Sequence, residues 1–291
     1  MTHDNPFKKG MLSDGILGRR GIPAAPLHCC TMTAPAPQTI ASELLTKAYD
    51  MLKHDAMPTQ SEMHQLEAEA TKLASVDAVS AFEARAAIAA LSWDVERVHQ
   101  EVRNLLHLDA SPGALINSAL TLSFVNDLDG AAECSGRAWL QAPNDESVLR
   151  DCLSFLAGSG RMHEARRLAA SMPHLSGATL KHAQTNERIV AMLDREGITE
   201  TRVHDELSAA MAVMAARRIR VVSPEVGTQS DPESGANSLL AIFTFHGDYD
   251  DEAALAEDLA KVLMESPQWN PSQFAIVFDP QPRSEHVLHA A

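Results

Sequence analysis

A repeat 34 residues long constrains this chain more than any other feature. Pro112–Gly177 reads PGALINSALTLSFVNDLDGAAECSGRAWLQAPND followed by ESVLRDCLSFLAGSGRMHEARRLAASMPHLSG, and each half places two apolar-periodic helical segments around a short polar turn. Leu128 and Met162 follow the two turns 34 residues apart, and Ala131 and Ala165 keep the same separation. A single helical hairpin of this length leaves one apolar face uncovered. Stacking it on its neighbours covers that face, so the period predicts an array of antiparallel hairpins.

Helices are expected on both sides of this pair. IASELLTKAYDMLKHDA places Ile40, Leu44, Leu45, Ala48 and Leu52 on one face, with Ser42 available as a cap. A second helix over 61–73 turns Met63, Leu66, Ala70 and Leu73 inward. AVSAFEARAAIAAL follows, and then a helix with Val95, Val98, Val102, Leu105 and Leu106 as its stripe, entered through Ser92 and Asp94. Beyond the pair, helices are expected over 178–195, with Leu180, Ile189, Val190 and Leu193 inward, and over 200–217.

Pro112–Asp145 resembles a tetratricopeptide repeat. With Ala131 as the small residue opening the second helix, Ala119 lies twelve residues before it, Ala138 seven after it, and Pro143 closes the unit. Leu115 and Leu122 occupy two large positions of the first helix. Small residues let the helices approach closely, and large ones fill the groove between hairpins. The segment from Val79 fits one residue short, with Ala86, Val95 and Val98 equivalent. The segment from Glu146 keeps Leu149, Leu156, Met162, Ala165 and Ala169, but departs at Leu153 and Pro173. The resemblance implies a superhelix whose first helices line a concave groove for a peptide or helix. Carried onto this chain, the groove-facing residues are Ile116, Leu120, Ser123 and Phe124, with Glu83 and Ala87 in the preceding unit. That set is more apolar than a carboxylate clamp and suggests capture of a hydrophobic peptide or helix, in the manner of bacterial secretion chaperones and adaptors. The plainer alternative is that these side chains pack against flanking helices.

The period changes near Arg217. RIRVVSP reads as a strand ending at Pro224, EVGTQSDPESGAN as a polar loop, SLLAIFTFHG as a strand, DDEAALAEDLAKVLMES as a helix and QFAIVFDP as a third strand. The expected fold is therefore mostly α with a small α/β unit. It comprises a disordered arm over 1–38, a repeat domain over 39–217, a β-β-α-β domain over 218–280 and a flexible tail over 281–291. Within the arm, GILGRRGIP offers a short docking peptide and Met32 an alternative start.

Charge excludes several function classes. The formal net charge of −15 disfavours nucleic acid and anionic membranes, which need a basic surface. No apolar run approaches the roughly 20 residues of a membrane span. Lys8, Lys9, Arg19 and Arg20 precede no continuous apolar run, so no secretory leader is read. Four cysteines without a CxxC pair point to a reducing cytoplasm and give no zinc signature.

The densest polar cluster is HGDYDDE, His246–Glu252. His246, Asp248 and Asp250 are candidate ligands for a hard cation or candidate acid–base groups. The competing reading is that these acids cap and complement a helix N-terminus. From Gly227 to Asp279, ten acidic side chains face Lys261 alone, which suits either a basic partner or a solvated surface. Arg217, Arg218 and Arg220 read as a helix C-terminal charge set. His99, His107, His163, His174 and His182 form no metal-ligand spacing, and no phosphate loop or nucleophile motif occurs. Cys134 and Cys152 read as helix core. No cofactor is expected.

The sequence thus favours a non-enzymatic cytoplasmic adaptor or chaperone with a protein or peptide partner, basic or hydrophobic. The C-terminal unit would be a second binding surface or a homodimer contact through strand edges. The alternatives are an enzyme or metal-binding protein built on His246–Glu252, and a regulatory peptide sensor.

Overall fold

The computed structural model describes residues 37–230, 237–265, 270 and 273–282. The arm and tail expected at the chain ends lie outside these residues, except that Pro37 and Gln38 open the first helix and Gln281 ends the last strand. Ten helices come first: α1 Pro37–Lys53, α2 Gln60–Leu73, α3 Ala78–Leu91, α4 Val95–Leu106, α5 Pro112–Phe124, α6 Leu128–Gln141, α7 Glu146–Gly158, α8 Met162–Ser171, α9 Gly177–Glu196 and α10 Glu200–Ala216. Strands β1 Val221–Ser230 and β2 Asn237–His246, helix α11 Tyr249–Met264 and strand β3 Phe274–Gln281 complete the order.

Local chemistry sets the helix starts. Thr59 and Glu62 form a reciprocal capping box on α2. Asp77, Asp94, Ser111, Asp127 and Asp145 each accept an amide of the first turn of α3, α4, α5, α6 and α7. Ser42, expected to cap α1, lies inside that helix, because Pro37 starts it one turn earlier with the fixed φ that suits a first turn.

Successive helices stack on one another, and the odd-numbered helices α1, α3, α5, α7 and α9 also pack in series. Each antiparallel hairpin turns through one left-handed residue. These are Asp55, Trp93, Asn126, Gly160 and Gly197, with positive φ of 49, 58, 63, 80 and 66°. Their separations of 38, 33, 34 and 37 residues carry the period from α1 to α10. Ala119, Ala131, Ala138 and Ala165 are fully buried, as close helix contacts need. Leu153 also is fully buried at a position where a small residue was expected.

In the C-terminal sheet β1 pairs antiparallel with β2, and β2 pairs parallel with β3 across α11, in the order β1-β2-β3. Strand β1 does not end at Pro224 but runs on to Ser230, through the stretch expected to be a polar loop. Proline is tolerated because β1 is an edge strand, where an amide pointing away from the sheet has no partner to lose. Leu239, Ala241, Phe243 and Phe245 alternate inward along β2 and share one core with α9, α10 and α11. That core crosses Arg217 without interruption, and residues 36–291 pack as one unit. Leu180, expected inward on α9, is 40% exposed; Thr179 and Asn186 are buried on that helix. Polar residues at core-facing positions hid the true stripe.

Candidate helix-binding face

The six residues expected to face a groove lie on α3 and α5, and the structure brings these helices side by side with α1 against them. Helix α3 is alanine-rich, and Ala81, Ala84, Ala86, Ala87, Ala89 and Ala90 are all buried. A helix this thin lets the elements flanking it come close to each other. Tyr49 of α1 reaches past it to α5. The phenol donates to the backbone carbonyl of Asn117 at 2.9 Å and lies 3.0 Å from the Thr121 hydroxyl. Its ring sits 6.5 Å from that of Phe124. Leu44, Ala48, Met51 and Leu52 bury the remainder of this face of α1 in the same core as Ala84, Ala87, Ala119 and Phe124.

The expected groove is thus occupied by the chain's own first helix. Ala87, Glu83 and Phe124 are buried, whereas Ile116, Leu120 and Ser123 are half-buried. Ile116 packs towards the α5–α8 core, Leu120 towards the α1–α6 core, and the Ser123 hydroxyl donates to the Leu120 carbonyl within α5.

Glu83 is the unusual member of this set. It is 5% exposed, and its carboxylate accepts the side-chain amide of Asn117. Burial raises its pKa from the ordinary 4.5 to about 7; the Asn117 hydrogen bond opposes that rise, and the Asp77 carboxylate adds to it. Burial, with Glu83 nearby, also raises the Tyr49 hydroxyl above its ordinary value, while the Thr121 bond counters this. A hydroxyl, an amide and a carboxyl therefore meet in an otherwise apolar seam between three helices.

The far end of α1 is held by the C-terminal part of the chain. His246 Nε2 lies 2.9 Å from the Lys53 carbonyl. Arg220, 6% exposed, pairs with Asp55 and donates to the Ala90 and Leu91 carbonyls at 2.7 and 3.0 Å. Its guanidinium also stacks 5.0 Å from the Trp93 ring centroid. Asn126 donates to the Ile219 carbonyl and accepts the Val221 amide, and His204 Nδ1 meets the Ser159 carbonyl at 3.0 Å. The ends of α1, α3, α5 and α7 are therefore each capped by a residue from α10 or the sheet. Free carbonyls at a helix C-terminus favour such cationic or donor partners. Burial lowers the Arg220 pKa, and Asp55 opposes this.

The arginine cluster is split between two tasks, a role its sequence did not show. Arg217 pairs with Asp258 of α11 while Arg220 enters the array. The signal that could have found Arg220 is its place at the start of an alternating strand, where every second side chain points inward.

The His246–Glu252 cluster has the geometry of a helix start. Asp248 accepts the amides of Asp250 and Asp251, and the Asp251 side chain accepts the Asp248 amide in return. Asp248 and Asp250 are exposed, and the Nε2 of His246 engages the Lys53 carbonyl. Among the described residues no group of three or more His, Cys, Asp or Glu side chains is placed to hold a metal ion. Cys134 and Cys152 are buried free thiols, pushed up to about 11 by burial. A cavity of about 500 Å³ lies between α1 and α2 above Leu44 and Leu73, and one of about 210 Å³ lies between the α5–α6 turn and α10. Neither gathers the candidate residues. Among the described residues no helix is long and apolar enough to cross a membrane.

Comparison with known protein families, curated proteins and solved structures finds no match to this chain.

Proposed function

We propose that this chain is a protein–protein interaction module of the tetratricopeptide kind, an adaptor or chaperone that takes up a helix on the face formed by α3 and α5. The observation that carries this reading is the seat of α1. A helix already lies on the expected face, buried through Leu44, Ala48, Met51 and Leu52 and anchored by Tyr49. Helix-in-groove recognition uses such a stripe of apolar anchors at helical spacing. The five regularly spaced left-handed turns and the buried alanines support the repeat frame.

In this reading α1 is the intramolecular occupant, and the C-terminal unit regulates it through Arg220 and His246. That arrangement fits a sensor as readily as a constitutive adaptor. The β3 edge, with Val277 exposed, and the exposed Val262 and Met264 of α11 are the surface for a second contact, including a homodimer. Buried free thiols support a reducing compartment, the cytoplasm.

The test uses the full chain carrying Tyr49→Ala and Leu52→Ala, substitutions that loosen α1 and leave α3 and α5 intact. A fluorescent peptide copying residues 39–55 should bind this variant at micromolar concentration and bind the parent chain far more weakly. Absence of binding to a folded variant would overturn the reading.

A further inference from the structure

Within that reading, we infer that the α3–α5 face selects its partner by a hydroxyl, and that the helix it accepts carries a tyrosine flanked by small and leucine side chains. The template is on the page. Along α1, Leu44, Leu45 and Ala48 precede Tyr49 and Leu52 follows it. Leu44, Ala48 and Leu52 are buried, and Leu45 packs on the same core. An apolar seat would accept phenylalanine equally well. This seat does not, because polar groups of α5 wait at its floor.

Thr121 can bond to the Asn117 carbonyl at 3.0 Å whether or not a phenol is present. The second lone pair of that carbonyl is taken by Tyr49. A phenylalanine in the same place would bury this acceptor and the Thr121 hydroxyl with no phenol to meet them. Sites built to bond a hydroxyl discriminate strongly against the analogue lacking it, because their own polar groups are stranded. Asn117 is further committed, since its side-chain amide is turned to Glu83. The same few residues of α5 thus meet the ligand through a carbonyl and the buried carboxyl of α3 through an amide.

Glu83 gives the site a second signature. The groups facing it are Asn117 of α5 and Tyr49 of α1, with Asp77 at the start of its own helix. None of the three carries a positive charge. When a helix covers the face, the carboxyl is sealed from water without a cation, and the protonated form is favoured. Covering the face therefore takes up a proton in the interval between 4.5 and about 7, and affinity falls as pH rises through it.

The experiment extends the peptide titration on the Tyr49→Ala/Leu52→Ala chain. The labelled 39–55 peptide is compared with the same peptide carrying phenylalanine at position 49, each at pH 5 and pH 8. Hydrogen-exchange protection of α5–α7 confirms that the array is folded, and Tyr49→Ala alone replaces the double variant if that protection is lost. The tyrosine peptide should bind about tenfold more tightly, the value of one buried hydrogen bond. Its affinity should fall several tens-fold from pH 5 to pH 8, and Glu83→Gln in the receptor should flatten that dependence. Equal binding of the two peptides overturns hydroxyl selection while leaving the helix-binding face standing. Binding of neither peptide removes both.

Discussion

Replacing Glu83 with glutamine isolates the buried carboxyl at little steric cost. Glutamine keeps the length and planarity of the side chain, and its oxygen still accepts the Asn117 amide. Only the titration is lost. In the parent chain the carboxyl moves from 4.5 to about 7 on folding. Because the folded value is the higher one, the group's stabilising effect is complete below pH 4.5 and is lost as pH rises through 7. At 1.36 kcal/mol per pH unit the full effect is on the order of 3 kcal/mol, of which about 2.5 kcal/mol falls between pH 5 and pH 8. Urea denaturation of parent and Glu83→Gln chains at both pH values gives the difference directly, because every other titrating group is common to the two proteins. The parent should lose about 2.5 kcal/mol more than the variant over that interval. Parallel pH profiles would refute the view that Glu83 is sealed beneath α1.

Other substitutions probe the remaining contacts. Arg220→Ala leaves Asp55, two α3 carbonyls and the Trp93 ring without their partner. It should cost roughly 3–5 kcal/mol in denaturant unfolding, and Arg220→Lys, lacking the planar fork, should recover only part of that. Gly160→Ala puts a Cβ 2.9 Å from the His204 backbone at a φ of +80°, so the melting temperature should fall by several degrees, corresponding to at least 1–2 kcal/mol. Cys134 and Cys152 should resist alkylation in the native protein at pH 8 and react once it is unfolded, because burial holds both thiols at about 11.

Much of the array was legible because its signals are local. The apolar stripes of α3, α4, α5 and α6 are bounded by Asp77, Asp94, Ser111 and Asp127, residues that cap through their own side chains. The 34-residue spacing then needs no tertiary information. Where the reading went astray, a distant partner set the outcome. Thr179 and Asn186 are buried on α9, so an apolar-only pattern chose Leu180. Pro224 looked like a strand end because nothing in RIRVVSP tells an edge strand from a central one. Arg220 looked like a helix-terminal charge because its partners, Asp55 and Ala90, are 165 and 130 residues away. The candidate face shows the same limit. Its residues could be named from the repeat frame, but Tyr49 and Asn117 are 68 positions apart, and no periodicity reports that α1 lies across them.

The seat of α1 can be measured most directly by native-state hydrogen exchange, following the amides of Ala41–Lys53 in the parent chain and in Tyr49→Ala. If α1 is an exchangeable occupant of the α3–α5 face, its amides open below the free energy of global unfolding, and Tyr49→Ala accelerates them alone by one to two orders of magnitude, about 1.5–3 kcal/mol. If α1 is a permanent part of the core, its amides exchange only with α3 and α5, and Tyr49→Ala shifts all three helices together.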